Sequence, residues 1–131
     1  MMQLTEHKPG NYHAVRSASS SQIVIDDQRF STSLIVGARL LETGWPVQDL
    51  ADLTETTIAP LLEHQPELVV LGCGEQGRFP SADIQRLFFK RGIGLECMSL
   101  TAACRTFNVL MSENRRAIAG LILKPTEQDP T

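Results

Sequence analysis

A chain of 131 residues with 42% hydrophobic and 21% charged residues is long enough to close one hydrophobic core and too short for two ordinary ones. That composition excludes disorder, collagen-like repeats and disulfide-stapled miniature scaffolds. The net charge of -3 excludes a surface built throughout to clamp nucleic-acid phosphates.

Met1 to Asn11 has little pattern and reads as a flexible arm, and Pro125 to Thr131 reads as a polar tail, which leaves one domain with a core of about 12–124. No apolar run approaches the roughly 18 to 20 residues of a membrane-spanning helix, and the first twenty residues hold no signal core or transit peptide. A cytoplasmic domain without a membrane span is expected. Tyr12 to Arg16 reads as a first strand and Gln22 to Ile25 as a second. Asp26-Asp27-Gln28 has turn chemistry, so a hairpin returning through Arg29 to Val36 follows. Leu40 and Leu41 extend this β-rich half toward an exposed Trp45.

Leu50, Leu53, Ile58, Leu61 and Leu62 approximate a helical stripe. Pro60 places the helix start near Thr56 or Thr57, where its missing amide hydrogen costs little. Glu67 to Leu71 is apolar on both faces, as a central strand covered by helices must be, and ends in Gly72-Cys73-Gly74. From Ser81, Ile84, Leu87 and Phe88 mark a helical face and Gly92 marks the stop. Ile93 to Met98 is the next strand. Ser99 is placed to cap a helix whose core stripe is Leu100, Ala103, Cys104, Phe107, Leu110 and Met111, with Asn114 as left-handed terminator. In the closing strand, Arg116 to Leu123, Ile118, Gly120 and Ile122 face one way and Ala117, Ala119, Leu121 and Leu123 the other. Strand, crossover helix and strand in succession demand parallel pairing. The predicted class is therefore α/β: three layers, a mixed central sheet, an N-terminal hairpin portion and a βαβαβ C-terminal half.

Charge is unevenly spread, four basic against ten acidic residues before Gln76 and eight against three from Gln76 to Lys124. The basic half is either a binding face or the electrostatic complement of the acidic half. Cys73, Cys97 and Cys104 match no CxxC spacing and lie far from His7, His13 and His64, so neither a disulfide framework nor a metal site is suggested. Gly72-Cys73-Gly74 lacks the third glycine and immediate helix of a dinucleotide fingerprint, and a tight strand-ending turn is its plainer reading. Cys73 lies where α/β enzymes place nucleophiles, yet no base is near it in sequence. Asn108, Glu113 and Arg115 bracket a helix end, where arginine complements the dipole and asparagine ties down neighbouring backbone.

Leu71-Gly72-Cys73-Gly74, the Arg91-Gly92-Ile93 turn, the helix Ala103 to Leu110 with its Thr106-Phe107-Asn108 segment, and Glu113-Asn114-Arg115 together resemble domain-of-unknown-function family 498 over about Ile25 to Leu123. The animal members of that family include the third assembly factor of mitochondrial complex I and an adipogenesis-associated protein. The resemblance implies a three-layer α/β domain with a mixed sheet, no established enzyme activity and no known cofactor. The chain departs from the family at Cys73, often Thr; at Ser99-Leu100, often Asp-Thr; and at Asn114, often Gly. A non-enzymatic interaction domain with a protein partner, no nucleic acid and no cofactor is expected, its oligomeric state left open. The rival is a small-molecule or anion site drawn from Gly72, Cys73, Gly74, Arg105, Asn108, Glu113 and Arg115, and a third possibility is a thiol enzyme using Cys73.

Overall fold

A computed structural model describes residues 12–19 and 21–124; the expected arm and tail lie outside the described residues. Two sheets form. β1 (Val15–Ala18), β2 (Ile23–Ile25) and β3 (Gln28–Phe30) make a three-stranded antiparallel sheet, with Asp26 at φ 55° in the β2–β3 turn. β4 (Leu34–Val36), β5 (Leu41–Thr43), β6 (Leu68–Cys73), β7 (Gly94–Met98) and β8 (Ala117–Ile122) make the second sheet, in the order β5-β4-β8-β6-β7. β6 pairs in parallel with both β7 and β8, while β4 is antiparallel to β5 and β8. The sheet is mixed and its parallel half is the expected βαβαβ unit.

Helices α1 (Glu55–Glu63) and α2 (Ala82–Lys90) cover one face of this sheet, and α3 (Leu100–Ser112) and the small sheet cover the other. Each face has its own core. Toward α3 lie Leu34, Val36, Val70, Ala119 and Leu121; toward α1 and α2 lie Ile35, Val69, Leu71, Ile118 and Ile122. The two sets alternate along each strand because successive side chains point to opposite faces, and β8 divides as its sequence indicated.

Three expectations need correction. The run from Arg29 to Val36 does not stay in one hairpin: β3 ends at Phe30 and β4 begins at Leu34 in the other sheet. Ser33, 2% exposed, sits in this crossing. Its hydroxyl donates to the Val47 carbonyl and accepts from the Leu123 amide at 2.8 Å. Trp45 is 6% exposed rather than exposed. Its ring lies on β8, where a Cβ at Gly120 would stand 3.0 Å from it, and its indole N–H donates to the Thr57 carbonyl at 2.8 Å. Helix α1 starts earlier than Pro60 suggested. Thr54 and Thr57 form a reciprocal capping box, and satisfying two end groups outweighs the second-turn position it gives proline.

α2 and α3 end alike. Gly92 at φ 70° and Asn114 at φ 62° adopt the left-handed conformation. The next amides, of Ile93 and Arg115, turn back to the carbonyls of Phe88 and Leu110 at 3.1 and 3.0 Å, the Schellman closure.

α3 packs closely on β6. A Cβ on Gly72 would lie 2.5 Å from the Ala103 Cβ and 3.3 Å from the Leu100 Cα, so glycine here admits the helix. Gly72→Ala is expected to cost at least about 2 kcal/mol by overpacking, read as a lower denaturant midpoint. Adding Ala103→Gly should recover part of that loss with a coupling above about 0.5 kcal/mol; strictly additive effects would show that the two positions do not press on each other.

Candidate functional site

The seven candidate residues fall in different places. Gly72, Cys73 and Gly74 lie at the carboxyl end of β6, whereas Glu113 and Arg115 lie beyond the far end of the antiparallel-running α3. A helix of 13 residues is about 20 Å long, so these two groups cannot grip one small ligand. Arg105 is exposed between them.

At the carboxyl end, two of the peptide groups that an anion would want are already engaged. The Leu100 amide at the start of α3 donates to the Gly74 carbonyl at 2.9 Å, and the Ser99 hydroxyl accepts from the Ala102 amide at 3.2 Å. Ser99 thus caps, as its position suggested. Gly72 serves helix packing, and Gly74, at φ 68°, serves the turn. Cys73 is buried beside Asp49, Lys124 and Arg78; burial, then the Asp49 carboxylate, push its thiol above the usual range despite the two cations. Burial pushes Cys97 up to about 11 and Cys104 up to about 12. A thiol acts as a nucleophile in its thiolate form, and all three sites disfavour that form. Among the described residues, no group of three or more His, Cys, Asp or Glu side chains is placed to hold a metal ion.

Asn108 has a definite partner. Its side-chain oxygen accepts from the Val15 amide at 2.9 Å and its side-chain NH2 donates to the Val15 carbonyl at 2.8 Å. One amide side chain therefore acts like a neighbouring strand toward β1, fastening the small sheet to α3.

The amino end of the parallel strands carries a cleft of about 990 Å³. Its lining includes Leu40, which is half-buried, the buried Pro66, Met111 and Ile118, and the polar side chains of Arg39, Arg115, Arg116, His64 and Glu113. Arg115 Nε donates to Glu67 at 2.6 Å, and this partner holds the Glu67 carboxyl below its ordinary range. Arg116 donates through Nη1 to the Gln65 carbonyl at 2.7 Å, while His64 lies 3.6 Å from Glu42. Glu113 and Arg115 thus line one cleft, together with Arg39, Arg116 and His64, which sequence reading did not associate with them. The left-handed Gln65 at φ 51° and the turn at Gly37–Leu40 bring these remote segments together, and neither leaves a spacing signal in the chain.

The pattern described as "Protein of unknown function (DUF498/DUF598)" matches residues 15–122. The chain belongs to this family. It is 39% identical over 83 residues to a zebrafish (Danio rerio) protein called NADH dehydrogenase (ubiquinone) 1 alpha subcomplex assembly factor 3, covering 62% of this chain and 48% of that one. The chain therefore spans about half the length of that relative. It is 26% identical over 116 residues to a "13 kDa major membrane protein" of Francisella tularensis, covering 88% of this chain and 94% of that one. An NMR structure of a Xanthomonas campestris protein superposes with a TM-score of 0.83 at 35% identity, covering 98% of both chains. The DUF498/DUF598 fold is thus the mixed α/β architecture described above. Among the described residues, no helix is long and apolar enough to cross a membrane.

Asn108→Ala is expected to destabilise the protein by about 1–3 kcal/mol, because it leaves the Val15 amide and carbonyl without their partners. Asn108→Asp keeps an acceptor for the amide but faces a carboxylate toward the carbonyl, which raises the folded-state pKa of the new group. Its stability deficit should accordingly shrink as pH falls toward about 4, where the protonated acid can donate. Denaturation at both pH values checks this, and a deficit independent of pH would contradict the bidentate contact. Alkylation at neutral pH should be slower at all three cysteines than at a free thiol, and a faster rate at Cys73 would reveal activation.

Proposed function

We propose that this member of the DUF498/DUF598 family is a non-enzymatic interaction domain that acts in the cytoplasm and helps a membrane-associated complex to assemble, with respiratory machinery as its client. The observation that carries this reading is the 39% identity to the zebrafish assembly factor, which falls on a domain whose thiols are held in their unreactive form by burial. Free cysteines at 73, 97 and 104 suit a reducing compartment. The exposed aromatic side chains Phe79 and Phe89, 61% and 82% accessible, add apolar contact area beside the basic residues Arg78, Arg86 and Lys90, as partner-facing surfaces often do.

Deletion of the gene is expected to lower the amount of fully assembled respiratory complexes on native gels, and the full chain should restore them. Affinity capture under gentle conditions should recover a specific protein. Normal assembly of every respiratory complex combined with an empty capture overturns the reading. Cys73→Ser should rescue as well as the unaltered chain; failure to rescue by this variant, once shown to fold, would point instead to thiol chemistry.

A further inference from the structure

We infer that the cleft at the amino end of the parallel strands is the docking site for an acidic segment of a partner protein, which lays carboxylates on Arg39, Arg115 and Arg116 and an aliphatic side chain against Leu40. This rests on the interaction reading above and names the partner's chemistry.

Among the cleft's lining side chains are three guanidiniums and one carboxylate, Glu113. Glu67 and Glu42, 39% and 46% accessible, flank the rim and are engaged by Arg115 and His64, which leaves Arg39 and Arg116 as the guanidiniums without a carboxylate partner among the described residues. Each guanidinium has five N–H donors. A single tie to Glu67 fixes Arg115 and one to the Gln65 carbonyl fixes Arg116, so both are held in place with most donors open. Arg39, at the tip of the β4–β5 turn, makes no side-chain hydrogen bond or ion pair among the described residues. That turn is itself held by the His13 amide donating to the Ala38 carbonyl at 3.0 Å. Pre-fixed arginines lose little freedom on meeting a carboxylate, and paired N–H donors match its geometry.

The shape selects the ligand class. A cleft of about 990 Å³ lies at the upper end of small-molecule sites, and a simple anion would leave the half-buried Leu40 side chain uncovered. A bilayer surface cannot follow a concavity bounded by the ends of α3, α1 and β4. An extended or turned peptide that alternates acidic and aliphatic side chains meets both the guanidiniums and Leu40.

The test uses the full chain and a short synthetic peptide of alternating Glu and Leu, beside the same peptide with Gln for Glu. Fluorescence anisotropy and amide chemical shifts are measured. The acidic peptide should bind and shift the amides of Gly37–Leu40 and Asn114–Ile118, and the Gln peptide should fail. Arg39→Glu, which breaks no contact among the described residues, should weaken binding by about tenfold with unchanged thermal stability. Equal binding by Arg39→Glu, equal binding of the Gln peptide, or shifts confined to another surface overturns the proposal. So does displacement by citrate or inorganic phosphate, or the same shifts with phosphatidylglycerol vesicles. A photo-crosslinker at position 39 separates this proposal from the broader one. A specific protein captured from position 89 and none from position 39 removes the cleft and leaves the interaction reading standing, whereas capture from neither position removes both.

Discussion

The seating of α3 on β6 is the constraint from which the rest of the molecule follows. Because Gly72 has no side chain, the helix backbone at Leu100 and the Ala103 methyl can rest directly on the strand. That close approach fixes three contact points of α3 at once. Its first amide reaches the Gly74 carbonyl, its Asn108 reaches Val15 of β1, and its Schellman exit delivers Arg115 beside Glu67. A helix held only slightly farther out would lose hydrogen bonds, which weaken steeply with distance and angle, before it lost much apolar contact. The family's characteristic segments are thus largely a description of one helix and what it touches.

What could be read in the chain was what local period and local punctuation encode. The alternate faces of β8, the two-sided burial of β6, the cap at Ser99, and the left-handed stops at Gly92 and Asn114 all depend on neighbours within a few residues. What could not be read depends on contacts across the fold. Nothing near Trp45 in sequence says that Gly120 opens a berth for its ring, and nothing near Ser33 says that Leu123 needs its hydroxyl. The run Arg29 to Val36 has the composition of one strand, and only the competing demands of two sheets divide it. Asn108 was legible as a residue that ties down backbone, but not as the partner of β1, because its bond spans 93 positions.

The same difference governs the site. Gly72-Cys73-Gly74 stood out because glycine after a buried strand is a familiar signature of ligand approach. Packing occupies each member otherwise. One glycine admits a helix, the other turns the chain, and the thiol between them is buried with a carboxylate nearby. Arginines at 39, 115 and 116 stood out less, being ordinary surface residues in composition. Their convergence comes from two tight reversals, at Gly37–Leu40 and at Asn114, that face each other across the end of β8.

The two ends of α3 therefore differ in kind. At its amino end, the Leu100 and Ala102 amides are taken by the protein's own carbonyl and hydroxyl groups, so the helix dipole there serves the fold. At its carboxyl end, the carbonyls are closed by the Schellman bonds, which removes the acceptors that would otherwise compete for the neighbouring guanidiniums. Closing those carbonyls with main-chain amides leaves Arg115 and Arg116 free of the capping work that arginines commonly do at such ends. Their remaining donors are then left open, and the proposed recognition falls to the end of the helix that looks, by its dipole alone, the less suited to a negative partner.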